Sequence, residues 1–169
     1  MSVVMLSGPI GSGKTTVARE LVAISPAPLC YLEGDTLWPM FAKPHAGPRH
    51  ERFRLLMRSM TAASVPLTRG GYEVLLDFSF PLDFLETARK ILKEIPLDFV
   101  VLRPSLEVCE QRAAARAEGA ISDYRAYRDF YAMFEGSARH EICDDEADAA
   151  ALARRIREGI DRGDFRVKG

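Results

Sequence analysis

The chain has 169 residues, of which 47% are hydrophobic, and its formal net charge is −1 at pH 7. This length and apolar content suffice for one hydrophobic core but not for two, so we expect residues 1–169 to form a single domain. The small net charge provides no general attraction to nucleic acid or to a membrane surface, and we expect neither as a partner. No basic-apolar signal stretch precedes the first predicted strand and no segment approaches the roughly 18 apolar residues of a membrane span, which predicts a cytoplasmic protein.

A buried strand, a glycine-rich loop and a helix are predicted at the start of the chain. Residues 2–7 read SVVMLS, a largely apolar run typical of a buried strand, and residues 15–22 have the apolar spacing of an amphipathic helix. Between them, residues 8–15 read GPIGSGKT, which is the GxxxxGK[ST] pattern of the phosphate-binding Walker A loop. This arrangement predicts that the chain binds a nucleoside triphosphate, ATP or GTP.

Each fixed position of the loop has a physical task. Glycines let main-chain N–H groups approach phosphate oxygens, and the N-terminus of the following helix directs further N–H groups and its positive dipole end at the same anion. We expect Lys14 to contact the β- and γ-phosphates and Thr15 to bind Mg²⁺. The expected nucleotide-binding residues of this segment are Gly8, Gly11, Ser12, Gly13, Lys14, Thr15 and Thr16. The alternative is a glycine-rich turn that binds no ligand.

Strands and helices alternate in the next part of the chain. Residues 29–32 predict a short second strand, and the turn-forming residues within 36–48 predict an irregular segment. A helix is expected from Arg49 and should end or kink near Pro66, because proline lacks the N–H group that a helix interior uses. Residues 72–77 predict the third strand.

The second half of the chain continues this alternation. A helix capped by Ser105 is expected to run through Arg116, and the aromatic residues that recur with helical spacing within 123–135 are expected in the core rather than on a base-stacking surface. The remaining predicted elements are helices at 82–94 and 146–160 and strands at 97–102 and 141–143. The pattern predicts an α/β fold with a parallel sheet covered by helices on both faces.

Three features together resemble the P-loop kinases that act on small molecules and nucleoside monophosphates. They are the loop at 8–15, the Gly34-Asp35 pair that ends the second strand, and the Arg112-x-x-x-Arg116 segment after the fourth strand. The family includes adenylate, cytidylate, shikimate and gluconate kinases, chloramphenicol phosphotransferase and zeta-toxin-like sugar-nucleotide kinases.

This resemblance covers residues 1–160 and implies both a fold and an activity. The implied fold is the three-layer P-loop NTPase fold, in which a five-stranded parallel sheet has the order 2-3-1-4-5. The resemblance also implies a helical region that binds the acceptor, at 36–69, and a mobile lid, at 112–128. The implied reaction is transfer of the γ-phosphoryl group of Mg-ATP to a small-molecule acceptor, with ATP and Mg²⁺ as cofactors.

Two aspartates end predicted strands at the edge where open α/β sheets bind ligands. Asp35 resembles the aspartate of shikimate kinase-like enzymes that accepts or orients the proton of the attacking hydroxyl group. Its alternative role is to cap the turn that follows. Asp77 stands where a Walker B-like carboxylate would hold Mg²⁺, and a turn cap is again the alternative.

Arg112 and Arg116 have no acidic neighbour three or four residues away on the predicted helix. Alanines surround them, and residues 118–120 provide a flexible exit suited to a lid. An anion shared by both guanidinium groups would offset their repulsion, so we expect both to contact the transferring phosphate and Arg112 to contact the nucleotide as well. Exposed helix charge is the alternative. Together with Lys14 and Asp35 they form the predicted catalytic set.

The acceptor is expected to bind within residues 36–58. Apolar side chains there could build a pocket, with ordinary packing as the alternative, and four arginines could bind a phosphate or carboxylate of an anionic acceptor. The apolar candidates are Trp38, Met40, Phe41 and Phe53, and the arginines are Arg49, Arg52, Arg54 and Arg58. The predicted acceptor-binding residues are Asp35, Trp38, Arg49 and Arg52.

Three activities are open at this point. The leading prediction is a kinase for a small-molecule acceptor that acts as a monomer or weak homodimer. A nucleoside monophosphate kinase, cytidylate-like, would use the arginines between 49 and 58 to bind the acceptor phosphate. A nucleotide-binding switch with little turnover is the alternative from another class.

Overall fold

Five parallel strands form the central sheet of the computed structural model, which describes residues 1–117, 119–136 and 139–168. The strands are Val3–Ser7 (β1), Leu29–Glu33 (β2), Glu73–Asp77 (β3), Leu97–Leu102 (β4) and Glu141–Ile142 (β5). They lie in the order β2-β3-β1-β4-β5, and all neighbouring strands are parallel. The predicted class and strand order are therefore confirmed.

Helices cover both faces of this sheet. Within the described ranges the α-helices are Lys14–Ile24 (α1), Arg49–Arg69 (α2), Leu85–Leu92 (α3), Leu106–Ala114 (α4), Arg128–Ala132 (α5) and Ala149–Arg162 (α6). Successive residues of a strand point to opposite faces. Val3 and Met5 of β1 thus join the core beneath α2 and α3, whereas Val4 and Leu6 join the core beneath α1 and α6. None of the helices in these ranges has the length and apolar character needed to cross a membrane.

The register of the sheet brings three strand ends to one edge. Asp77 at the end of β3 is aligned with Leu6 of β1 and with Glu33 of β2. The segments that follow these strands therefore begin side by side. They are the glycine-rich loop after β1, the Gly34-Asp35 pair after β2 and the segment after β3.

Helix α2 continues past Pro66, so the prediction that it could end there is wrong. The helix ends at Arg69, which leaves Pro66 in its last turn. Proline disrupts a helix by removing one N–H bond and crowding the preceding turn. Here the buried face formed by Leu56, Met57 and Met60 fixes the helix against the sheet, and the Pro66 carbonyl still accepts a hydrogen bond from the Gly70 N–H group at 2.9 Å.

Helix α4 is shorter than predicted. It ends at Ala114, so Arg116 lies outside it. The N–H group of Ile121 donates to the Ala113 carbonyl at 3.0 Å, because the chain folds back after the helix. Glu118, which belongs to the predicted flexible exit and lid, lies outside the described residues.

The single helix predicted over 123–135 is also wrong. A 3-10 helix at Tyr124–Tyr127 precedes the short α5, and turns follow α5. Tyr124 and Tyr127 are three residues apart, which matches the three-residue period of a 3-10 helix. The aromatic side chains do enter the core, as predicted, with Tyr124, Tyr131 and Phe134 all buried.

The segment predicted to be irregular, residues 36–48, is partly helical. It begins within a 3-10 helix at Asp35–Met40. The residues from 41 to 48 form bends and loops, in agreement with their proline and glycine content.

Candidate active site

The loop between β1 and α1 is shaped by close backbone contacts. Gly8 and Gly11 have φ angles of 145° and 83°, and a Cβ atom at either position would overlap a main-chain carbonyl, that of Leu102 or of Cys109. Only glycine combines these angles with so little space. Helix α1 begins directly after Gly13, an N-cap that has no side chain to bond its first N–H groups, and such donors at a helix N-terminus suit an anion.

Ser12 gives independent support for a phosphate site. Its Oγ atom is buried and has no hydrogen-bond partner among the described residues. Buried polar atoms in folded proteins are nearly always paired. A hydroxyl group without a partner, beside free main-chain donors, fits the phosphate chain of a nucleotide.

Two buried serines connect this loop to the segment after β3. Ser7 Oγ donates to the Phe80 carbonyl at 2.6 Å, and Ser79 Oγ donates to the Gly8 carbonyl at 2.9 Å. Each hydroxyl group fixes a carbonyl of the other segment. Sequence reasoning missed these bonds because their partners are 71 and 73 residues apart and no local pattern connects them.

Lys14 and Asp35 line the same cavity, which has a volume of about 580 Å³. Lys14 Nζ donates to the Pro9 carbonyl at 2.9 Å. Burial lowers the pKa of Lys14, whereas the charges of Asp77 and Asp35 favour its protonated form. The predicted site residues that line this cavity are Gly11, Gly13, Lys14, Thr15, Thr16, Asp35, Arg112 and Arg116.

Asp77 is buried and accepts two hydrogen bonds on one oxygen. Thr15 Oγ1 donates to Asp77 Oδ2 at 2.8 Å, and the Tyr31 hydroxyl group donates to the same atom at 3.0 Å. Burial raises the pKa of Asp77, and the charge of Lys14 and both hydrogen bonds act against this rise. The two residues predicted to bind the metal, Thr15 and Asp77, are therefore in direct contact.

These oxygen atoms fit a Mg²⁺ ion that is shared with phosphates. Magnesium in phosphoryl-transfer sites is held by one or two side-chain oxygens together with the phosphates of the substrate. In the part of the chain that the structure describes, no group of three or more His, Cys, Asp or Glu side chains could hold a metal ion by itself. The pair of Thr15 and Asp77 is the set of ligands that such a shared ion would use.

Tyr31 was not predicted as a site residue. Its hydroxyl group also lies 3.3 Å from Glu33 Oε2, and burial together with both carboxylates raises its pKa. A sequence signal did exist, because Tyr31 and Glu33 occupy alternate positions of β2 and so share one face of the strand. Glu33 itself lines the cavity.

Arg112 and Arg116 both line the cavity, although not by the predicted geometry. They were expected on one helix, but only Arg112 lies within α4. Arg112 Nη2 is 3.5 Å from the Asp145 carbonyl, and Arg116 lies in the turn after the helix. Arg116 lines the same cavity from outside the helix.

Tyr124 ties the segment after α4 to the phosphate loop. Its hydroxyl group donates to the Ile10 carbonyl at 2.7 Å, and its ring is buried with Cys109 and Ala113 of α4. Sequence reasoning recognised Tyr124 as a core residue and missed this hydrogen bond. The predicted lid segment is therefore anchored to the loop at one point.

A second cavity, of about 440 Å³, lies between α2, the segment after β3 and α5. We call it the apolar cavity. It is lined by Phe53, Met57, Pro81, Phe130 and Met133, with Arg49, His50, Arg54 and Asp83 as its polar residues. Of the predicted acceptor residues, Arg49 lines it and also lies over Trp38, with its guanidinium carbon 5.3 Å from the ring centre. Arg52 is not among the residues that line the apolar cavity, whereas Arg54 is.

The sheet order, the glycine-rich loop and the cavity beside it define a P-loop kinase fold. The chain belongs to the AAA domain family, because the model of this family matches residues 3–128. No match was found among curated proteins.

Solved structures share this fold at low sequence identity. The sugar kinase of Janibacter sp. HTCC2649 has a TM-score of 0.70 and 21% identity, with 95% of both chains covered. The APS kinase CysC of Mycobacterium tuberculosis, solved with AMPPNP and APS, has a TM-score of 0.69 and 21% identity over 95% of this chain and 97% of that chain. The shikimate kinase of Acinetobacter baumannii, solved with shikimate, has a TM-score of 0.63 and 18% identity over 96% of this chain and 94% of that chain.

Proposed function

We propose that the chain is a phosphotransferase that moves the γ-phosphoryl group of Mg-ATP to a hydroxyl group of a small molecule. One observation carries the proposal: a single cavity is lined by Lys14, Thr15, Asp35, Arg112 and Arg116. These side chains include a phosphate-binding cation, a metal ligand, a carboxylate and two guanidinium groups, which are the parts that phosphoryl transfer uses. The nucleotide in the solved APS kinase supports ATP as the donor.

The roles follow from charge and position. Lys14 and the two arginines neutralise negative charge on the phosphates and stabilise the charge that spreads over the transferring group. Thr15 and Asp77 are the residues that would hold Mg²⁺, which supplies further positive charge to the triphosphate when bound.

Asp35 accepts the proton of the acceptor. The acceptor oxygen forms a bond to the γ-phosphorus while the bond from that phosphorus to the bridging oxygen of ADP breaks. The hydroxyl proton passes to the Asp35 carboxylate and ADP leaves. Asp35 is suited to this role because it is exposed and lines the cavity, where an incoming hydroxyl group has access to it.

ADP formation tests the proposal, with ATP or GTP and a panel of small alcohols, sugars and monophosphates. Lys14→Met is expected to reduce turnover about 100-fold or more, because it removes a charge that faces the phosphates. Lys168→Met, which removes an exposed lysine, is the matched control. Full activity of Lys14→Met would refute the proposed phosphate site.

A second pair of variants tests the carboxylate. Asp35→Asn is expected to lower kcat about 100-fold or more and to leave nucleotide affinity nearly unchanged. Asp129→Asn on the exposed side of α5 is the control for loss of an exposed aspartate. If Asp35→Asn and Asp129→Asn change kcat by the same factor, Asp35 is not the base. If ATP binds and no acceptor raises ADP formation above the rate of the protein alone, the chain is not a phosphotransferase for the compounds tested.

A further inference from the structure

The apolar cavity has an unusual lining for a site that would receive a sugar-like alcohol. Apolar side chains are five of its nine lining residues, four of them aromatic or thioether, and its volume of about 440 Å³ is within the range of cavities that bind drug-sized molecules. Hydroxyl-rich ligands need polar partners when they are buried, because an unpaired hydroxyl group loses its hydrogen bonds to water. Rings and alkyl chains have no such requirement.

A row of aromatic rings runs from this cavity to Trp38, which shares a 3-10 helix with Asp35. Asp35 and Trp38 are three residues apart in one 3-10 helix, and residues at this spacing lie on the same side of such a helix. The Trp38 ring centre lies 6.3 Å from that of Phe53, which lines the apolar cavity, and the Phe53 ring centre lies 6.4 Å from that of Phe130, which also lines it. The wall of the apolar cavity therefore packs against the helix that carries Asp35.

This row of rings is held in place by close packing behind it. The Phe78 ring centre lies 4.5 Å from that of Phe53. Phe78 in turn packs against Gly34, where an added Cβ atom would overlap its ring. The wall of the cavity is thus fixed by residues that follow β2 and β3, at the same edge of the sheet as the glycine-rich loop.

The charged residues of the cavity favour one sign of ligand charge. Arg49 and Arg54 contribute two positive charges, and Asp83 contributes one negative charge. No ion pair neutralises either arginine within the described residues. A cationic ligand would be repelled there, whereas an uncharged or anionic one would not.

We propose that the acceptor is an alcohol with an apolar, ring-containing body and no positive charge, bound with its ring in the apolar cavity. This inference rests on the proposed function, because that function is what makes the cavity a binding site for an acceptor. It goes beyond that function by naming the class of acceptor. The ring contacts Phe53 and Phe130, and the hydroxyl group faces Asp35.

Two diols that differ only by a phenyl group provide the test. We would compare 3-phenyl-1,2-propanediol with glycerol for binding and as acceptors. Trp38 is the one tryptophan of the chain and belongs to the row of rings, so its fluorescence reports binding without any need for catalysis. The phenyl diol is expected to bind about tenfold or more tightly than glycerol, because burial of an aromatic ring supplies that advantage.

Met133→Glu tests whether the ring enters the cavity. Met133 is 49% exposed, so the variant keeps the fold while placing a charge in the apolar wall. We expect it to weaken binding of the phenyl diol about tenfold and to leave nucleotide binding unchanged. Leu55→Glu is the matched control, because Leu55 is also 49% exposed and lies on α2 outside the lining residues.

The two readouts separate this inference from the proposed function. Tight binding of the phenyl diol that Met133→Glu weakens and Leu55→Glu does not would support the inference, even if no ADP forms. Turnover that favours glycerol or a sugar over the phenyl diol would overturn the inference while the proposed function stands. Equal effects of the two glutamate variants, or no fluorescence response to the phenyl diol at millimolar concentration, would also overturn it.

Discussion

Loss of a single hydroxyl group should show how strongly the segment after α4 depends on the phosphate loop. Tyr124 is 5% exposed, and its hydroxyl group donates to the Ile10 carbonyl at 2.7 Å. Tyr124→Phe removes this bond and leaves the ring in place. The variant therefore isolates the hydrogen bond from the packing of the ring.

The expected loss of stability comes from the Ile10 carbonyl, which stays in place without its hydrogen-bond donor. The Ile10 carbonyl loses its donor in a partly buried site, and such a loss costs about 1–2 kcal/mol. Because the ring still fills its space, no cavity adds to this value. Ile10 belongs to the loop, so we also expect nucleotide affinity to fall, by about 5- to 30-fold if the whole of this energy is lost from the bound form.

Urea unfolding and nucleotide titration measure both effects. Tyr127→Phe is the matched control, because its ring centre lies 5.8 Å from that of Tyr124 and its hydroxyl group has no hydrogen bond within the described residues. We expect the control to change the free energy of unfolding by less than about 0.5 kcal/mol. If Tyr124→Phe and Tyr127→Phe have equal free energies of unfolding, the hydrogen bond to Ile10 does not stabilise the protein as argued. Unchanged stability and unchanged nucleotide affinity of Tyr124→Phe would refute the argument as well.

Three other changes have defined outcomes. Asp77→Asn should reduce ATP-dependent turnover about 100-fold or more without lowering the thermal unfolding temperature. Burial raises the pKa of this carboxyl group, and a neutral amide avoids the cost of burying a charge. Reduced stability with normal turnover would contradict this expectation. Gly34→Ala should lower the free energy of unfolding in urea by about 1–3 kcal/mol, since its Cβ atom would overlap the Phe78 ring. Burial lowers the pKa of His140 below 6.5, so the folded protein favours the neutral imidazole ring. The contribution of His140 to stability is therefore complete above pH 6.5 and is lost as the pH falls through the lowered pKa. Thermal unfolding across this pH range should show a smaller decline for His140→Asn than for the parent chain.

The sequence allowed prediction of those features that depend on local pattern. Each strand of the sheet was predicted within about two residues, because buried parallel strands are short apolar runs between turn residues. The phosphate loop followed from the spacing of Gly8, Gly13 and Lys14. The strand order came from the resemblance to P-loop kinases, not from the pattern of the residues themselves.

Features that depend on contacts between distant residues were missed. Pro66 predicted a helix break because its effect was judged without the packing of α2 on the sheet. Arg116 was assigned to α4 because the return of the chain after Ala114 has no local signal. The bonds from Tyr31 to Asp77 and from Tyr124 to the loop join residues 46 and 114 positions apart, and only the folded chain brings them together.

The two serine bonds that cross between β1 and the segment after β3 have a consequence for nucleotide exchange. One bond holds the carbonyl of Gly8 towards Ser79 and the other joins Ser7 to Phe80, so the entry to the loop is ordered before any ligand arrives. Little conformational entropy is then lost when a triphosphate enters, since the receptor is already ordered. The same rigidity means that release of a product from the proposed site would require no refolding of the loop.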